Sequence, residues 1–247
     1  IKKLPGHQAI GHNRYSTTGE VSLRNIQPFF ADLYGGGVSL AHNGNLTNAL
    51  ELRNALVQEG AIFRTTSDTE TIVQLIAKSK RVKMIDKIID TLFQIQGGYA
   101  LVMMTSKKLI GLRDPFGIRP LVLGKLNSSY VFASETCALD IIGARFVRNV
   151  ENGEIIVIED GKLNSIKPFP TIKERPCAFE YIYFARPDSL LNGRCAYEYR
   201  KKMGEELAKE TDLEADLVVP VPDSGVPAGL GYSQYTKKSF ELGLIRN

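Results

Sequence analysis

The amino-acid sequence reads as an α+β chain: two antiparallel sheets sandwiched between helices, then the opening of an α/β unit. Three observations carry this reading. Apolar residues recur at helical spacing between residues 48 and 95, short apolar runs separated by turn residues fill residues 99–167, and a proline-rich stretch then precedes a change of pattern.

Taken in order, Gly37 to Ala41 is expected to be a strand running into a turn at Asn43-Gly44, one of the strongest turn dipeptides. Asn48 to Glu59 follows as a helix, with Thr47 as N-cap and Gly60 as its stop. Ser67-Asp68-Thr69-Glu70 fits a capping box, backed by the apolar face of Ile72, Leu75 and Ile76. Ile85, Ile88, Ile89, Leu92 and Phe93 make 83–95 an amphipathic helix that ends at Gly97-Gly98. Strands are expected at 99–105, 109–113, 120–124, 130–133, 154–158 and 162–167, the last two joined through Asp160-Gly161. Pro168 to Pro176, with three prolines, reads as a linker, so the domains are expected to be 1–170 and 171–247. Beyond it, 196–209 is helical, with Met203 and Leu207 on one side and charge on the other. Leu217 to Pro222 is a short strand leading through Asp223-Ser224-Gly225 to a helix, an arrangement that binds phosphate in α/β folds.

Composition narrows the function classes. With 247 residues, 43% hydrophobic and 23% charged, the chain is long enough for one large or two modest cores and too apolar for disorder. A net charge of +4 allows anionic ligands, but no dense basic run argues for nucleic acid. Three widely spaced cysteines make no disulfide framework, so a reducing, cytoplasmic setting is expected. No apolar run approaches a membrane span and no signal-peptide pattern opens the chain.

Asn43-Gly44 on its own is an ordinary turn signal. An Asn amide beside a Gly N–H is also the donor pair that stabilises an oxyanion in acyl transfer. Upstream lies Gly11-His12-Asn13-Arg14-Tyr15-Ser16-Thr17, and downstream Thr65-Thr66-Ser67-Asp68-Thr69-Glu70. In this order and spacing the three resemble the glutaminase domain of class II glutamine amidotransferases, an N-terminal-nucleophile hydrolase αββα sandwich. Residues 113–121 (Arg113-Asp114-Pro115-Phe116-Gly117-Ile118-Arg119-Pro120-Leu121), 133–140 and 179–189 are similar to the amidophosphoribosyltransferases. Those enzymes make 5-phosphoribosylamine, glutamate and pyrophosphate from glutamine and phosphoribosyl pyrophosphate, the first step of purine synthesis.

The resemblance implies roles. Arg14, whose guanidinium fork matches a carboxylate, would hold the glutamine α-carboxylate. Asp68 would pair with its α-ammonium, although a carboxylate in the first turn of a helix also has a structural reason. Asn43 and Gly44 would form the oxyanion hole, while His12 and His42 read as structural because the family's base is an α-amine. Ser224 would contact a pyrophosphate-bound Mg²⁺, or simply cap the helix; Asp223 is a weaker metal candidate. Cys177 matches a position that binds a [4Fe–4S] cluster in one branch, although one cysteine holds no cluster.

In the family the domain opens on a Cys whose thiol is the nucleophile, whereas here the chain starts at Ile1 and the first cysteine is Cys137. Both ends are therefore expected to be cut, with a first strand missing and a sheet edge left open. Glutaminase activity is not expected of this exact polypeptide. The family expectation is a phosphoribosyl-transferring, homo-oligomeric enzyme; the alternatives are an inactive chain that at most binds glutamine, or another class II amidotransferase.

Overall fold

The computed structural model describes residues 6–14, 22–211 and 213–246, and Tyr15, Ser16 and Thr17 of the upstream motif lie outside them. The chain forms two compact units, residues 1–134 with 144–176, and residues 135–143 with 177–247.

In the first unit, β1 (Phe29–Leu33) and β2 (Gly36–Leu46) form a hairpin, and helices α1 (Ala49–Gln58), α2 (Asp68–Lys78) and α3 (Met84–Leu92) follow. Strands β3 (Gly97–Thr105), β4 (Lys108–Arg113), β5 (Val122–Leu126) and β6 (Ser129–Ala133) come next. Helix α4 (Thr136–Ile141) belongs to the second unit, after which β7 (Arg145–Asn149), β8 (Ile155–Glu159) and β9 (Lys162–Ile166) complete the first. The strands make two antiparallel sheets, ordered β1-β2-β3-β4-β8-β9 and β6-β5-β7.

Strand chemistry explains the layering. Tyr99, Leu101 and Met103 of β3, Ile110 and Leu112 of β4, and Ile155 and Val157 of β8 join one core with Leu56, Ile72, Ile76 and Ile88 of the helices. Their alternating neighbours Ala100, Ile156 and Ile158 join a second core with Leu121 and Leu123, between the sheets. A strand covered on both faces must be apolar at every position, which is why these segments read as continuous runs. Helices over one antiparallel sheet, with a second sheet beneath it, make three successive layers of the expected αββα sandwich.

Several local expectations hold. Gly60, at φ +93°, follows the last turn of α1, and Asp160-Gly161, with φ of 50° and 73°, turns β8 into β9. Ser67 caps α2 by accepting the Thr69 N–H. The Glu70 carboxylate, however, accepts from the N–H groups of Arg64 and Thr65 and from the Thr65 hydroxyl, so it pins the loop ahead of the helix rather than closing the box.

Other expectations are corrected. Asn43-Gly44 is not a turn: β2 runs on to Leu46, pairing Asn43 with Ala100 and Gly44 with Tyr99. Gly44 sits at φ +137°, and a Cβ there would lie 2.0 Å from the Gly98 carbonyl oxygen, so close strand approach demands the glycine. Thr47 does not cap α1. Its N–H continues the strand end to the Gln96 carbonyl, and Asn48 is the cap residue, its amide tied to Gln94 and Gln96 instead.

The second unit contains a π-type turn (Glu180–Phe184), the paired β10 (Leu190–Leu191) and β11 (Arg194–Cys195), helix α5 (Ala196–Glu210), and β12 (Leu217–Val218). Helix α6 (Val226–Thr236) follows, and β13 (Ser239–Phe240) pairs parallel with β12. The expected strand at 217–222 is thus only two residues long, because Pro220 and Pro222 remove ladder donors. Met203 and Leu207, expected on one side of this helix opposite the charge, are both exposed, and Ala196, Arg200, Gly204 and Ala208 are buried. A Cβ on Gly204 would lie 1.8 Å from the Ala228 carbonyl oxygen of α6, so small residues set this helix contact.

Candidate functional site

Of the predicted residues of the first unit, Asn43 and Gly44 lie on β2, which passes the start of α2, where Asp68 sits. Asp68, the first residue of α2, is buried, and its Oδ2 accepts the Leu46 N–H of β2 at 2.9 Å. Its other oxygen lies 3.8 Å from His42 Nδ1. The helix N-terminus and a strand N–H thus hold one carboxylate from two sides.

His42 is buried among polar groups. Its N–H donates to Gln27 Oε1 (2.7 Å), and its ring Nδ1 shares a hydrogen bond with Thr69 Oγ1 at 3.2 Å. Burial pushes its pKa down to about 4, against the raising effect of Asp68 and with lowering by His12 and Arg119. A ring that stays neutral under a strand suits the structural role expected of it. His12 Nε2 bonds the His42 carbonyl at 3.0 Å, and its pKa is lowered by burial and by the charge of Arg14. Through His12, then, the segment bearing Arg14 is tied to the strand bearing Asn43.

Asn43 is half-buried, and its Oδ1 accepts from the Arg119 guanidinium at 2.8 Å. Sequence reasoning assigned Arg119 no role. The available signal was its place at the end of the Arg113-Asp114-Pro115-Phe116-Gly117-Ile118-Arg119 run.

That run builds a rigid loop. Asp114 is wholly buried and accepts the N–H groups of Tyr99 (3.3 Å), Phe116 (2.9 Å), Ile118 (3.1 Å) and Arg119 (3.1 Å). Burial raises its pKa, and these four donors oppose the rise. Arg113 donates from the other side, to the carbonyls of Arg119 (2.7 Å), Gly117 (2.7 Å) and Val150 (3.1 Å). Ile118 packs against Gly98, where a Cβ would come within 2.6 Å of its side chain. Gly98 neighbours Tyr99, the partner of Gly44.

The remaining predicted residues, Ser224 and Cys177, lie in the second unit. Ser224 is exposed on the turn before α6, beside Asp223, whose Oδ2 lies 3.4 Å from Arg246. Among the described residues no group of three or more His, Cys, Asp or Glu side chains is placed to hold a metal ion. Ser224 and Asp223 each offer a side-chain oxygen of the kind a hard cation takes. Cys177 supplies one of the four thiolates that a [4Fe–4S] cluster takes. The other two cysteines are engaged: Cys195 Sγ meets the Pro187 carbonyl, and buried Cys137 sits 3.8 Å from Glu135 Oε2. Burial pushes the Cys137 thiol up, opposite to what a nucleophile needs. No helix among the described residues is long and apolar enough to cross a membrane.

A family model described as "Glutamine amidotransferase domain" matches residues 12–140. The amidophosphoribosyltransferase of Rhizobium etli is 55% identical over 252 residues, covering 100% of this chain and 51% of that protein. A chloroplastic amidophosphoribosyltransferase of Glycine max is 49% identical over 249 residues, covering 100% of this chain and 44% of that protein. The glutamine phosphoribosylpyrophosphate amidotransferase of B. subtilis, solved in complex with ADP and GMP, matches with a TM-score of 0.89 at 43% identity. That match covers 96% of this chain and 51% of that one, so the chain spans about half the length of these relatives. The likeness identifies the stacked sheets as the sandwich of N-terminal-nucleophile hydrolases. The chain belongs to the glutamine amidotransferase domain family, and along its whole length it is similar to amidophosphoribosyltransferases.

Proposed function

We propose that this chain supplies the glutamine-hydrolysing site, and the beginning of the phosphoribosyl-transferring domain, of an amidophosphoribosyltransferase. The reaction is glutamine plus phosphoribosyl pyrophosphate to 5-phosphoribosylamine, glutamate and pyrophosphate, at the start of purine synthesis. The observation that carries the reading is the gathering of Asn43, Gly44 and Asp68 where β2 meets α2, with the Arg14 segment tied to the same strand through His12 and His42.

In this reading an N-terminal Cys thiol attacks the side-chain amide of glutamine, its own α-amine serving as base. The oxyanion forms against the Asn43 Nδ2 and Gly44 N–H donors, ammonia leaves, and water releases glutamate from the thioester. Arg14 binds the α-carboxylate and Asp68 the α-ammonium, so a fixed carboxylate is an advantage: it is oriented before the substrate arrives. His42, held neutral, does not compete with the ammonium for Asp68.

Residues 1–170 are the glutaminase domain and 171–247 the linker and first part of the transferase domain. There Ser224 would contact a Mg²⁺ carried by the pyrophosphate, which would neutralise charge on that leaving group. An iron–sulfur cluster at Cys177 would need ligands from outside this chain. A reducing, cytoplasmic setting agrees with three free thiols, and homo-oligomeric assembly follows the family expectation.

The test is glutamine hydrolysis by this chain extended at its N-terminus to open on Cys. We expect release of glutamate that Asn43→Ala lowers about 100-fold or more in kcat, and that Asp68→Ala suppresses mainly through KM. Unchanged kinetics in Asp68→Ala remove it from the site, and absence of hydrolysis in the parent sinks the proposal.

A further inference from the structure

We infer that Arg119 is a positioning residue for the oxyanion hole, selecting which end of the Asn43 amide meets the substrate. This rests on the reading above and adds a residue to it. A primary amide can rotate by half a turn and exchange its oxygen for its nitrogen at almost no steric cost. Only one orientation helps catalysis, because an oxyanion is stabilised by Nδ2 hydrogens and repelled by Oδ1. A guanidinium removes the ambiguity, since it carries five donors and no acceptor. With Arg119 at 2.8 Å, the facing atom of Asn43 must be Oδ1, which leaves Nδ2 as the end that turns to the reacting oxygen.

The surroundings hold Arg119 for this task. Its N–H is gripped by Asp114 Oδ2 and its carbonyl by Arg113 Nε, so its backbone is fixed on both sides of the Cα. Asp114 in turn is bonded to both the N–H and the carbonyl of Tyr99, the residue opposite Gly44. The loop bearing Arg119 and the strand bearing the oxyanion donors therefore share one anchor, although Arg119 and Asn43 are 76 positions apart. The guanidinium also polarises the amide, which strengthens Nδ2 as a donor.

The experiment has two arms. In the Cys-opened protein, Arg119→Met is expected to lower kcat for glutamine hydrolysis about tenfold or more while KM stays within about twofold. Arg119→Lys, which keeps a donor, is expected to restore most of the loss. On an Asn43→Ala background Arg119→Met should cost less than about twofold, because its target is gone. In the second arm, the side-chain amide resonances of Asn43 are followed by NMR in the chain as it stands. Arg119→Met is expected to shift and broaden them, and Arg119→Lys to return them. A full further loss on the Asn43→Ala background, or unmoved Asn43 amide resonances, overturns the inference alone. An Asn43→Ala variant with parental kcat overturns the oxyanion-hole reading and the inference with it.

Discussion

Lowering the pH should weaken the fold through His42 before it touches the carboxylates. The ring is buried beneath β2, and its pKa is lowered from 6.5 to about 4. As pH falls through 6.5 the unfolded chain takes up a proton that the folded chain refuses, so stability declines with pH over that interval. Below about 4 both states are protonated and His42 contributes no further slope. The folded and unfolded values differ by roughly two and a half units, which at about 1.4 kcal/mol per unit is on the order of 3 kcal/mol. That is a large part of the stability of an ordinary domain. His12, whose pKa is also lowered, adds to the same sign. The assay is urea denaturation followed by far-UV circular dichroism at several pH values between 7 and 4.5, for the parent and for His42→Gln. Glutamine does not titrate, so the variant should show a markedly shallower decline even if it starts from lower stability. Parallel declines in the two proteins would refute the reasoning.

Two further outcomes follow from buried contacts. The Glu154 side chain is 1% exposed and accepts a two-pronged bond from Arg148 (2.7 Å each), the Ser165 hydroxyl (2.6 Å) and the Glu151 N–H (2.8 Å). Glu154→Ala should cost about 3 kcal/mol by urea denaturation, because it strands those donors. Burial alone would raise this carboxyl, but its partners hold it down to about 2, so its contribution is whole above 4.5 and fades as pH falls towards 2. In the second unit, Gly204→Ala and Gly231→Ala each place a Cβ within 2.0 Å of a backbone carbonyl of the facing helix. Each should lower the thermal midpoint, with an overpacking cost of about 1–3 kcal/mol exceeding the helix-propensity gain of about 1 kcal/mol. Met203→Ala, on the exposed side of α5, should change stability by no more than about 0.5 kcal/mol.

What the sequence made legible was whatever a local pattern encodes. The spacing of Ile85, Ile88, Ile89 and Leu92 is that of α3, and the runs at β3, β4 and β8 are apolar throughout because both faces are covered. Strands β1 and β7 escaped notice: Asp32 interrupts the short apolar run of Phe29–Leu33, and arginines flank the two apolar residues of Arg145–Asn149. Asn43-Gly44 misled for a different reason. Its turn propensity is real, but pairing with Ala100 and Tyr99 overrides it, and the same glycine that favours a turn here permits close strand approach. On α5 the larger apolar residues lost to small ones, since two helices in backbone contact bury what is thin rather than what is greasy. The Arg119–Asn43 bond spans 76 positions, and no periodicity can announce a contact of that reach.

The Asp114 loop has a consequence for how the site tolerates change. One carboxylate satisfies four main-chain donors, so the segment from 114 to 119 has the stiffness of a ladder without being part of one. Its entropy is surrendered once, during folding, and none is left to surrender when a ligand docks. Shortening or neutralising that single acid would loosen a guanidinium five positions downstream, and the damage would surface as sluggish turnover long before it surfaced as a collapsed protein.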